Sequence, residues 1–124
     1  MNVFRSLSVI LLSLFTGPLY AEDAAPVQPW AEPDVVLAAA RIGMSDEQKT
    51  SFRDNVTTFF QCRVKGLQSL MKARDQVDLA RKARSKTLGC IHRLDKSMKG
   101  LVTDEQYPRY ETYRDTLKKY LQEL

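Results

Sequence analysis

Cys62 and Cys90 are the only two cysteines in a chain of 124 residues, and their placement restricts the fold more than any other feature. Each lies in a long stretch of helical periodicity, and their midpoint in sequence is residue 76. If the chain turns at Arg74, Asp75 and Gln76, the two stretches run antiparallel and the thiols lie level across a hairpin. A bridge needs Cα atoms roughly 4.4–6.8 Å apart, which facing positions on packed helices reach. The spacing therefore predicts a Cys62–Cys90 disulfide stapling a long helical hairpin.

The N-terminus sets the compartment in which these cysteines are read. Residues 1–21 place Arg5 ahead of an apolar run over 7–15, followed by Gly17, Pro18 and a small residue, Ala21. This is the layout of a secretory signal peptide, with cleavage expected after Ala21. The run is shorter than the ~20 residues a membrane span requires. An uncleaved anchor is the alternative, and with no cysteine after the run a lipoprotein is not expected. A periplasmic location follows, where paired cysteines default to a bridge. Export also turns the net charge of +4 away from nucleic acid and toward protein clients, membrane surfaces or other envelope proteins.

Residues 22–33 hold three prolines and no helical period, and read as an extended linker. Trp30 within it either pins the arm onto the helices or serves in binding. A helical domain over residues 34–124 follows. Asp34 is expected to cap a short helix over 35–42, with Gly43 ending it. Ser45 is an N-cap with Gln48 three residues on, a capping box, and Asp46 and Glu47 suit the positive end of the helix dipole. The second helix carries Phe52, Val56, Phe59, Phe60, Leu67, Leu70 and Met71 within a sector roughly 120° wide. Arg63 and Arg74 interrupt that stripe: either they snorkel out at its margins or part of the stripe is open to solvent. Gly66 costs about 1 kcal/mol relative to Ala inside a helix, which points to a packing reason near the bridge.

Asp75 is the expected cap of the third helix. This helix presents Val77, Ala80, Ala83, Leu88, Ile91, Leu94 and Met98 on one side, Cys90 at the margin, and Gly100 at its end. Thr103 with Gln106 repeats the capping signature and is expected to open the fourth helix. Pro108 there is one position deeper than a first turn tolerates best, so the opening turn is expected to be irregular. Tyr110, Tyr113, Leu117, Tyr120 and Leu124 form a seam suited to packing along another helix. The tyrosines are either a binding surface or a core stripe with hydroxyls at its edge. The predicted fold is all-α, with four helices.

The repeated signature brings a family into view. Met44-Ser45-x-x-Gln48 and Val102-Thr103-x-x-Gln106 resemble the two LTxxQ motifs of the Spy and CpxP periplasmic proteins, and the resemblance covers residues 34–124. It departs in lacking the Leu of both copies, in having Ser45 for Thr, and in the cysteine pair. The resemblance implies binding without catalysis. Spy-like members are ATP-independent chaperones that hold unfolded clients in a cradle-shaped homodimer, CpxP-like members restrain an envelope-stress sensor kinase, and metal-resistance relatives bind metal ions.

Charge is segregated independently of any family. Residues 63–99 hold eleven Lys/Arg against three Asp, while the rest of the exported chain holds seven against twelve acids. Lys82, Lys86, Arg93 and Lys96 fall on one stripe of the third helix. That stripe is either an ordinary solvated face or, with Arg63 and Arg74, a surface for acidic clients, a sensor domain or anionic lipid. His92 is the single histidine, and no metal-spaced cluster, CxxC motif or glycine-rich phosphate loop accompanies it. No cofactor, metal or enzymatic activity is therefore expected. The expected role is a chaperone-like holdase for unfolded envelope clients. A regulatory adaptor for a sensor kinase and a small structural envelope protein are the alternatives.

Overall fold

The computed structural model describes residues 27–73 and 77–121. A single 3-10 turn, Pro29–Ala31, leads into four α-helices: α1 Pro33–Ala40, α2 Asp46–Lys72, α3 Leu79–Lys99 and α4 Tyr107–Lys118. No strand occurs among the described residues. Helices α2 and α3 pack along each other as the predicted hairpin, and α1 packs on α4. At 1.5 Å per residue α2 is about 40 Å long and α4 about 18 Å, so the short pair covers only the base of the long one.

The core follows from that mismatch. Val35 and Ile42 at the α1 end, Phe52 and Phe59 of α2, Cys90, Ile91, Leu94 and Met98 of α3, and Tyr110, Tyr113 and Leu117 of α4 are buried in one cluster. Phe52 meets Tyr113 edge-on at 5.0 Å between ring centroids. Past this layer the hairpin stands alone. Met71, at the outer end of the α2 stripe, is 75 % exposed and Val77 67 %, while Leu67 and Leu70 are half-buried. Of the two expectations for a stripe interrupted by arginines, the open one holds. The tyrosine seam is core, with its hydroxyls held at the edge: Tyr110 Oη donates to Asp95 Oδ1 at 2.7 Å and Tyr120 Oη donates to Asp34 at 2.7 and 2.8 Å.

The disulfide joins Cys62 and Cys90 with Cα atoms 5.9 Å apart, inside the range a bridge needs. Gly66 has the packing reason expected of it. A Cβ there would approach Lys86 Cβ to 3.2 Å, so the glycine lets the helices draw together one turn from the bridge.

Four local expectations are corrected. Asp34 is in the first turn of α1, which begins at Pro33 behind the N-cap Glu32, and its carboxylate accepts both from the Val35 N–H at 3.2 Å and from Tyr120. Asp78, not Asp75, is the N-cap of α3; its φ of 55° is a left-handed conformation that Asp tolerates, and no side-chain cap forms. Cys90 is inside the buried stripe of α3 at 4 % exposure. That stripe runs through Thr87, Ile91, Leu94 and Met98; Val77 and Leu88, on the opposite edge of the expected sector, are exposed, so the buried face is rotated away from them toward Cys90. Helix α4 starts at Tyr107 rather than at the box. Residues 103–106 form a preceding turn, which places Pro108 in the first helical turn where its missing N–H costs nothing. The expected turn at Arg74, Asp75 and Gln76, the signal peptide, the first part of the linker and Leu124 lie outside the described residues.

Two measurements test this packing. The bridge closes a loop between residues 28 apart, for which loop-closure entropy gives about 3–4 kcal/mol. Reduction is expected to lower Tm by roughly 10–25 °C, and an unchanged Tm would show the bridge to be idle. Burial, then the hydrogen bond to Asp95, raises the Tyr110 pKa, and burial alone raises that of Tyr113. Their folded values lie above the unfolded value near 10, so their contribution is whole below about pH 10 and is lost as pH rises above it, by up to about 1.4 kcal/mol per unit for each. Tyrosinate absorbance for these two should appear only as helical circular dichroism disappears. Ionisation of every tyrosine in a still-helical protein would contradict the packing.

Candidate functional site

Two capping boxes fold the chain at the base, and they meet. Ser45 Oγ accepts from the Gln48 N–H at 3.2 Å while Gln48 Oε1 accepts from the Ser45 N–H at 2.9 Å. Thr103 and Gln106 repeat this with the same two distances, 3.2 and 2.9 Å. The two glutamine amides then bond each other. Gln48 Nε2 donates to Gln106 Oε1 at 2.9 Å and Gln106 Nε2 returns the bond to Gln48 Oε1 at 3.2 Å. Their remaining N–H groups go to Leu101 O at 3.2 Å and Gly43 O at 3.0 Å. Gly43 and Leu101 each stand two residues before their cap, so the arrangement has a local twofold. Gly43 adopts φ 75°, a left-handed turn suited to glycine, where its carbonyl meets Gln106.

Beside this junction, α1 packs on α4 and leaves an open groove of about 1060 Å³ between itself and α2. Phe52 and Tyr113 form its floor, Val56 and Phe60 run along it, and Val36, Ala39 and Trp30 stand on the opposite side. Trp30 packs edge-on against Phe60 at 4.7 Å, so it pins the arm as one expectation held. It also remains 47 % exposed at the groove mouth. Val64 continues the apolar strip at 49 % exposure. The polar part of the lining includes Lys49, Arg53, Arg63 and Lys65, and among the described residues no Asp or Glu belongs to it. An apolar trough with cationic ends offers loose apolar contact together with attraction for negative charge.

The sequence-derived candidates divide between two places. Arg63 lines the groove. Lys86 and Arg93 instead line a smaller cleft of about 470 Å³ over the disulfide, where Arg93 Nη1 lies 3.7 Å from Cys62 Sγ. Lys82 and Lys96 extend the same side of α3, Lys82 partly buried and Lys96 exposed. Arg74 lies outside the described residues. Lys65 lines both the cleft and the groove, so the basic stripe and the apolar groove adjoin there.

Sequence reasoning missed the groove because it arises between two helices. The available signal was the apolar excess of α1, where Val36 and Leu37 are about half exposed. It also missed Arg114, which binds Asp95 Oδ2 at 3.2 Å and so shares that carboxylate with Tyr110. Among the described residues no group of three or more His, Cys, Asp or Glu could hold a metal ion. None of their helices is long and apolar enough to cross a membrane. No family model, no curated protein and no solved structure matches the chain.

The amide pair has a measurable signature. Gln48→Ala and Gln106→Ala should each destabilise by about 1–3 kcal/mol in urea unfolding, since each leaves partly buried partners unpaired. The double variant should cost clearly less than the two together, because the second change removes groups already orphaned. Strict additivity would show that the amides do not act as a unit.

Proposed function

We propose that the protein is exported to the periplasm and acts there as an ATP-independent holdase, binding unfolded envelope proteins weakly in the groove between α1 and α2. The observation that supports this reading is the composition of the groove: half-buried Val56 and Phe60 with exposed Val64 and Trp30 in one trough, and Lys49, Arg53, Arg63 and Lys65 around it. Apolar side chains in this setting capture unfolded segments through burial, at roughly 25 cal/mol per Å² removed from water. The surrounding cations draw acidic chains in from beyond contact distance. Release then follows client folding, which withdraws the apolar segment from reach. The twin capping signature, in which this chain is similar to the Spy and CpxP proteins, points the same way.

The regulatory adaptor remains as a second reading, and it rests on the basic stripe. Lys86, Arg93 and Lys96 are exposed outside the groove lining, a placement suited to docking one folded acidic partner.

Purified protein should suppress aggregation of several unrelated clients, thermally unfolded or reduced, at near-stoichiometric ratios without nucleotide. Val64→Asp, at an exposed position, should weaken suppression by about tenfold while leaving Tm nearly unchanged. Charge reversal at Lys82, Lys86, Arg93 and Lys96 should slow capture chiefly at low salt, because exposed charges are screened within ~8 Å at physiological ionic strength. Unchanged aggregation of every client would remove the holdase reading and put the adaptor first.

A further inference from the structure

We propose that the groove selects one class of client segment: an amphipathic helix whose apolar stripe is bracketed at both ends by carboxylates. The inference rests on the holdase reading and names the chemistry of its substrate.

The order of residues along the groove carries the first half of the argument. Lys49 and Arg53 line it at the end nearest the capping boxes, Arg63 and Lys65 line it at the other, and Val56 and Phe60 come between. From Arg53 to Arg63 the helix rises about 15 Å, two to three turns. Cations thus bracket an apolar strip at two ends, Arg53 at one and Lys65 at the other, while Lys49 also pairs with Asp46 at 3.8 Å. A ligand with one charged head would match one end only. A segment with carboxylates two to three turns apart matches both, and the long Lys and Arg side chains accommodate a residue or two of mismatch.

The second half comes from hydrogen bonding. The flanking walls are α1 and α2, helices whose main-chain groups are bonded within themselves. An extended client pressed into this trough would find no strand edge to pair with, and each buried N–H or C=O left open costs about 1–3 kcal/mol. A helical segment closes its own main chain and presents only side chains, as helix-in-groove recognition requires.

Trp30, the single tryptophan, is in contact with Phe60 at the groove mouth and reports occupancy directly. The probes are peptides of about 16 residues, long enough for marginal helicity, with Leu at helical spacing and two Glu at each end. One control carries a central Pro and another replaces each Glu with Lys. The acid-bracketed helix should shift Trp30 emission saturably, and both controls should bind at least about tenfold more weakly. Arg53→Glu combined with Lys65→Glu should invert the preference between Glu and Lys ends, and Val64→Asp should weaken every peptide. Circular dichroism and Tm confirm that both variants fold.

Binding of the Pro and Lys controls within about threefold of the parent overturns the selectivity, and suppression of aggregation in the same preparation then leaves the holdase reading standing. Trp30 emission that changes with protein concentration alone, abolished by Val64→Asp, overturns it in favour of a second copy in the groove. A selective Trp30 response without any suppression of aggregation sustains the peptide specificity and removes the holdase.

Discussion

The reciprocal amide bond between Gln48 and Gln106 is the constraint on which the base of the molecule depends. Each glutamine has two N–H donors and one carbonyl with two acceptor sites. Each uses all of them: one donor to the opposite amide, one to the main chain two residues before the opposite cap, one acceptor site for its own cap and one for the opposite amide. A saturated network of this kind tolerates no sliding, because any shift of one loop leaves several partly buried groups unpaired. The junctions α1–α2 and α3–α4 are thereby fixed to each other, and so are the helices leaving them.

From this junction the architecture divides in two. On the covered side, Tyr110, Tyr113 and Leu117 of α4 fill the space against Phe52, Leu94 and Met98. Asp95, held between Tyr110 and Arg114, ties α4 to α3, while Asp34 and Tyr120 tie α1 to the residues just past α4. On the uncovered side the hairpin has only its own interface, narrowed by Gly66 against Lys86 and closed by the disulfide. Buried Thr87 Oγ1, without a hydrogen-bond partner, belongs to this thinner region. The covalent link closes the outer end of the buried cluster, at buried Cys90 and half-buried Cys62.

What the sequence made legible was local or pairwise. Ser45 with Gln48 and Thr103 with Gln106 could be read as capping boxes, since a box needs only two residues three apart. Cys62 and Cys90 could be paired because their midpoint falls between two periodic stretches. Resolving the arginine-interrupted stripe of α2 required knowing how far α4 reaches. Helical spacing groups Val77 and Leu88 with the α3 stripe and so puts Cys90 at its margin, but both are exposed and the buried face turns toward Cys90. Asp34 next to a helix start invites a cap, and only the approach of Tyr120 from 86 residues away reassigns it. The groove was not legible for the same reason. Val36 and Phe60 belong to different helices, and α1 takes its place from packing on α4 rather than on α2.

The disulfide and the groove are linked through the energetics of exposure. A helix normally stabilises itself by burying its apolar stripe, since propensity alone leaves most helices marginal in water. Val56, Phe60, Val64 and Met71 of α2 contribute less burial than their size allows, each buried CH₂ being worth about 0.8 kcal/mol. A single chain of this length has only about 5–15 kcal/mol of net stability, so an apolar face left open must be offset elsewhere. Constraint of the unfolded chain by a bridge contributes without consuming any apolar surface of the folded one. The staple at Cys62–Cys90, on the side of α2 turned away from the groove, thus permits the apolar trough to remain open.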